Sequence, residues 1–178
     1  MAINSLHEKF IHELRDIYDA EHQFLEGQQL MLQNATDPQL QSMITTHISQ
    51  SQGQVRNLEQ VFRLLGEESR RQTCDAAKGL VTEGSKGMKE TSSVPAIRDC
   101  MINGSQSKVE HYEIAAYRGL VTGAQLMNQP DIVRLLQENL MQEEQTARLV
   151  EQSAPMLLEK AQQADFIGGD SMSAAVAP

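Results

Sequence analysis

Apolar residues recur along this chain three and four positions apart, the spacing of one helix face, in four long blocks separated by turn signals. The first block opens at Ser5, whose Ser-x-x-Glu pattern with Glu8 predicts a capping box. Phe10, Ile17, Phe24 and Met31 then repeat every seven residues, predicting a bundle helix from about 5 to 33. Asn34 to Pro38 reads as a turn, with Asp37 as N-cap and Pro38 at the first helical position. The second block carries Leu40, Ile44, Ile48, Val55, Leu58, Phe62 and Leu65, and Gly66 stops it. Gly53 lies inside that block at a cost of ~1 kcal/mol relative to Ala, which predicts close packing or a local irregularity. The pattern weakens from Glu67 to Ser93, where a shorter, Gly-interrupted helix is expected from Thr73 to about Met88. Ser93-Val94-Pro95 opens the third block, which runs to about Met127; Asn128 to Asp131 is a tight turn. The fourth block runs to about Ala164, with a kink or loosely held last turns expected at Pro155. Residues 1–165 thus read as one helical bundle, and the aperiodic residues 166–178 as a flexible C-terminal tail, a candidate docking peptide for a protein partner.

Two short connections flank one long one. A crossover carrying ~16 helical residues spans roughly 24 Å, enough to return the chain to its starting end. The expected fold is therefore all-α: a ferritin-like up-down-down-up four-helix bundle with an extra short helix in the crossover. Composition agrees, since aromatics are only 4% and Trp is absent, which suits helices better than sheets. The formal charge of -9 supplies no basic surface for nucleic acid. No apolar run approaches the ~20 residues of a membrane span, and Met1-Ala2-Ile3-Asn4 begins no secretory signal. Cys74 and Cys100 show no metal or redox spacing and are expected to be reduced, buried thiols of a cytoplasmic protein. A phosphate loop and a Gly-x-Ser-x-Gly nucleophile motif are both missing.

Each long block also holds polar residues on its apolar face. Glu21 interrupts the row Leu14, Glu21, Gln28; His47, Gln50, Ser51 and Gln54 cluster in the second block. Glu113 falls in the row Ile102, Gln106, Val109, Glu113, Ala116, Leu120, with Glu110 one turn back beside Ile114 and Tyr117. Glu143 sits among Ile132, Leu136, Asn139, Ala147 and Val150. All of these lie near the middles of their helices, so a bundle stacks them into one internal layer. Unpaired buried carboxylates are expensive, and a metal cation neutralises them. Carboxylate and imidazole ligands suit iron or manganese in a pair of sites. Glu110 or Glu113 would bridge, Glu21 and Glu143 would cap the two ions, His47 would contribute more weakly, and Gln50 would be a weak ligand or outer neighbour. Tyr18, Tyr112 and Tyr117 are candidate hydrogen-bond or redox neighbours. The chemistry expected of such a site is oxidation of Fe(II) by oxygen or peroxide. In the competing reading His47 and Gln50 hydrogen-bond the carboxylates, no metal binds, and the bundle is a scaffold for protein–protein interaction.

Residues 10–21 (Phe-Ile-His-Glu-Leu-Arg-Asp-Ile-Tyr-Asp-Ala-Glu) and 108–117 (Lys-Val-Glu-His-Tyr-Glu-Ile-Ala-Ala-Tyr) resemble the bacterial YciE/YciF family. Gly53-Gln54, the stretch from Cys74 to Gly79-Leu80, Glu83-Gly84 and Glu143-Glu144 carry the same resemblance, which covers almost everything from Leu6 to Leu158. It implies a ferritin-like fold with an extra short helix, homodimers, a di-metal (di-iron or manganese) site and a role in stress responses. The chain departs from that pattern at two positions. Gln50 stands where similar proteins carry a glutamate, and Ala147 where they tend to carry an acid one turn after Glu143. A neutral amide at Gln50 lowers the negative charge available to two divalent cations.

Overall fold

The computed structural model describes residues 3–173. Helices α1 (Leu6–Asn34), α2 (Pro38–Leu65), α4 (Pro95–Leu126) and α5 (Pro130–Ser173) form the bundle, and α3 (Asp75–Glu90) lies in the long crossover. The capping chemistry sits where the pattern places it. Ser5 Oγ accepts from Glu8 N, and the buried Asp37 accepts from Gln39 N and Leu40 N. Gly66 closes α2 in the left-handed region at φ 69, a conformation that costs other residues more. Cys74 caps α3, and its own amide donates 2.8 Å to Asp19 of α1.

Contacts fix the topology. Phe10 meets Gly123, and Thr36 bonds Asp99, so α1 and α4 run antiparallel. Asn57 bonds Asn139, and Thr146 contacts His47, so α2 and α5 do likewise. Helix α3 starts at the level of Asp19 and reaches Met31, returning the chain so that α4 points the same way as α2. The result is the expected up-down-down-up order, and among the described residues there is no strand. Helix α3 packs on both α1 and α4. A Cβ at Gly84 would come within 3.3 Å of Ser105, so glycine there permits that close approach.

Three expectations need correcting. Gly53 marks neither close packing nor a break: α2 is uninterrupted, and an added Cβ would meet only Arg56, at 3.7 Å. Cys100 is half-buried, while Cys74 is buried; both are free thiols. Helix α5 runs to Ser173 with Pro155 inside it. Residues 166–173, expected in an aperiodic tail, therefore extend α5, and residues 174–178 lie outside the described residues. Among the described residues no helix is long and apolar enough to cross a membrane.

The core is divided. One apolar cluster gathers Phe10, Leu14, Ile17, Phe24, Phe62 and Leu120 with their neighbours. A second gathers Met31, Leu40, Ile44, Met88, Ile102 and Leu157. Buried polar side chains interrupt this core on all four long helices: His47, Gln54 and Glu143 fall between the two clusters in chain position, and Glu21, Glu110 and Glu113 fall within the span of the first.

Candidate metal centre

Helix position brings these side chains inward. Glu110 and Glu113 are three apart on α4, a helix covered by α1, α3 and α5, so neither can turn to solvent. Glu21, Glu110, Glu113 and Glu143 have no exposed surface, and His47 has 1%. His47, Glu110, Glu113 and Glu143 each offer a ligand atom within 4.8 Å of the others. His47 Nε2 lies 3.2 Å from Glu110 Oε1 and 4.0 Å from Glu143 Oε2. Glu21 belongs to the same layer but not to this closest group.

Hydrogen bonding covers only part of the layer. Tyr117 OH donates to Glu21 Oε1 and accepts from Asn139 Nδ2 at 3.0 Å. Gln54 Nε2 donates to Glu143 Oε1. Asn139 also donates to the main-chain oxygen of Gln54 and accepts from Asn57. Yet Glu21 Oε2, Glu143 Oε2, His47 Nε2 and both oxygens of Glu110 and of Glu113 are buried with no donor. The 3.2 Å approach of His47 to Glu110 therefore lacks hydrogen-bond alignment. A protein interior does not ordinarily leave so many polar atoms without partners, so the donor set fits a bound cation.

The electrostatics point the same way. Burial pushes the Glu110 and Glu113 carboxyls well above the ordinary range, and neighbouring Glu143 and Glu21 push them further. Burial and Glu143 also raise Glu21, against the hydrogen bond from Tyr117. Burial holds His47 below its ordinary pKa, against the pull of Glu143 and a Gln50 hydrogen bond, so the imidazole is held toward its neutral form. Its tautomer follows from its neighbours. Thr146 Oγ1 has one proton and donates it to Gln50 Oε1 at 3.4 Å, so its lone pair faces His47 Nδ1, also at 3.4 Å. On that hydrogen-bond pattern the ring proton is assigned to Nδ1, which leaves Nε2 as the unprotonated nitrogen on the side of the carboxylates. A lone pair opposed to carboxylate oxygens is repulsive until a cation lies between them.

Of the residues singled out from sequence, His47, Glu110, Glu113 and Glu143 come together, and Glu21 lies in the same layer. Gln50 is half-buried and turned toward Thr146 and His47, not toward the free carboxylate oxygens. Among the tyrosines only Tyr117 touches a layer carboxylate; Tyr18 donates to Glu59 at 3.2 Å, and Tyr112 donates to Asp16 at 2.9 Å, next to Cys74. Ala147 is buried without adding a ligand. Thr146, which orients His47, gave no signal in the sequence, because a threonine in a helix is commonplace.

Four antiparallel and parallel helices joined by a long crossover, with a buried carboxylate–histidine group at mid-height, define a ferritin-like bundle able to hold a metal ion. The chain belongs to the family described as Domain of unknown function (DUF892), whose model matches residues 5–163. It is 29% identical over 147 residues to Protein YciF of Escherichia coli strain K12, covering 82% of this chain and 88% of that protein. The solved structure of the E. coli stress protein YciF superposes with a TM-score of 0.83 at 28% identity, covering 88% of this chain and 99% of that one. YcfI of Rhodopseudomonas palustris gives 0.81 at 34% identity, covering 84% and 94%. The YciE/YciF resemblance read from the sequence is thereby borne out.

Proposed function

We propose that this protein is a stress-response metalloprotein whose mid-bundle layer binds two ions of iron or manganese and serves as a ferroxidase, peroxide scavenger or metal buffer. The supporting observation is the set of buried, donor-free atoms on Glu110, Glu113, Glu143 and His47. Glu21, Glu110, Glu113 and Glu143 would hold the ions, with His47 contributing through Nε2. Iron or manganese held there supplies one-electron redox chemistry toward oxygen or peroxide at open coordination positions. Tyr117 and Gln54 hold Glu21 and Glu143 in place through their Oε1 atoms, leaving the Oε2 atoms free to ligate. The stress role follows the description of E. coli YciF, and homodimers in the cytoplasm complete the proposal.

A metal-free scaffold is the second reading, favoured by one observation: Glu21 and Glu143 already accept protein hydrogen bonds, and Gln50 brings no charge. Counting metal per chain separates the two. Protein purified without chelators, then loaded anaerobically with Fe(II) or Mn(II), is expected to hold two equivalents, and Glu113→Ala to lose at least one. A chain that holds none at either stage would be the scaffold, and its partner would be sought at the surface and the C-terminal tail.

A further inference from the structure

A groove of about 430 Å³ runs between α2 and α5 and ends at His47. Ser42, Thr46, Gln50, Gln145, Thr146 and Gln152 supply most of its polar wall, with Met43 and Leu149 between them. Among the described residues no Asp, Glu, Lys or Arg lines it, although the chain carries 24 acids and 15 basic residues. By contrast, the groove beside Tyr112, lined by Glu13, Asp16 and Leu120 among others, reaches none of the four grouped ligands.

We propose that the α2–α5 groove is the path by which a small, uncharged, hydrogen-bonding oxidant of the hydrogen peroxide class reaches the metal layer. Thr146 and Gln50 stand at its inner end as positioning residues. This rests on the metal reading above and adds to it the route and the class of molecule. Acid-lined passages concentrate cations, whereas amides and hydroxyls offer a neutral molecule successive donors and acceptors without favouring either charge. His47 forms the inner wall, with Nδ1 toward Thr146 and Nε2 toward Glu110. The two Thr146 contacts are 3.4 Å long, at the weak end of hydrogen bonding, so a molecule the size of water or peroxide can replace either at little cost.

A reversible plug tests this. Thr46 is exposed on the groove wall, so Thr46→Cys can be labelled with a bulky methanethiosulfonate and released with a thiol reductant. Wild-type protein treated identically controls for Cys74 and Cys100. In Mn(II)-loaded protein, water-proton relaxation by the bound ion reports entry of a neutral molecule. In Fe(II)-loaded protein, the rate of oxidation by added hydrogen peroxide reports the oxidant itself. Both are expected to fall roughly tenfold on labelling and to recover on reduction, with the metal retained throughout, as for a narrowed pore. Unchanged relaxation or an unchanged peroxide rate in the plugged, metal-bearing protein would overturn the route. Failure of the unlabelled protein to hold Mn(II) would overturn the metal reading, and the route with it.

Discussion

His47 shows how one side chain can be committed by its neighbours. The contacts of Thr146 with Nδ1 and with Gln50 assign the ring proton to Nδ1, and burial keeps the ring toward neutrality, so Nε2 is the nitrogen available to a cation. Thr146→Val keeps the shape but removes the acceptor, and it is expected to lower metal affinity about 10–100-fold while leaving the fold intact. Competition with a fluorescent Mn(II) chelator measures this. Glu113→Gln should act oppositely on two quantities. It removes a carboxyl whose ionised form is disfavoured by burial and by three neighbouring glutamates, so the metal-free protein should gain on the order of 1 kcal/mol in chemical denaturation at neutral pH. The same change should weaken metal binding. At this scale the sequence was legible where a residue contradicted its row: Glu21, Glu113 and Glu143 interrupt apolar periodicities. It was opaque where a polar residue was ordinary for a helix, as with Thr146. Gln54 was visible within a polar cluster, but its bond to Glu143 depends on which α5 residue lies opposite, and a single sequence does not state that.

The helices were readable because their signals agree with one another: caps at Ser5 and Asp37, a stop at Gly66, and seven-residue repeats between. Gly53 misled because a helix interior tolerates an isolated glycine whenever packing elsewhere holds the segment. Gly84, Gly87 and Gly123 are glycines with a packing consequence, and the partners Ser105, Met101 and Phe10 could not be named before the helices were placed against one another. Gly84→Leu is expected to push α3 away from α4 and to destabilise the protein by about 1–3 kcal/mol, read in urea unfolding. Asp19 ties the start of α3 to α1 by accepting from Cys74 N, Gln23 and Arg71, so the disturbance should be greatest past that anchor.

The whole molecule buries a layer of carboxyls whose ionised forms are disfavoured by burial and by one another. The metal-free protein should therefore depend on pH in a definite direction. Glu21, Glu110 and Glu113 have folded pKa values raised above their unfolded ones, so the folded state holds protons that the unfolded chain releases. Their share of stability is full below the ordinary carboxylate range and is lost as pH rises toward the folded values, at up to about 1.4 kcal/mol per pH unit for each proton. His47, lowered on folding, acts oppositely and only below about its unfolded pKa of 6.5. Three carboxyls outweigh one imidazole, so the thermal midpoint of the metal-free protein should fall between pH 5 and 8. Metal should flatten that slope and release protons on binding. Free metal at 100 times its Kd should add about 2.7 kcal/mol to stability.

The most direct test of a metal-binding layer is an anomalous diffraction map of crystals grown after anaerobic loading with Mn(II), collected across the manganese edge. Two peaks are expected between the four long helices, in contact with His47 Nε2, Glu110, Glu113 and Glu143, one of them also reaching Glu21. Peaks confined to surface carboxylates, or a map with none in the layer, would contradict the metal centre and leave the bundle a scaffold.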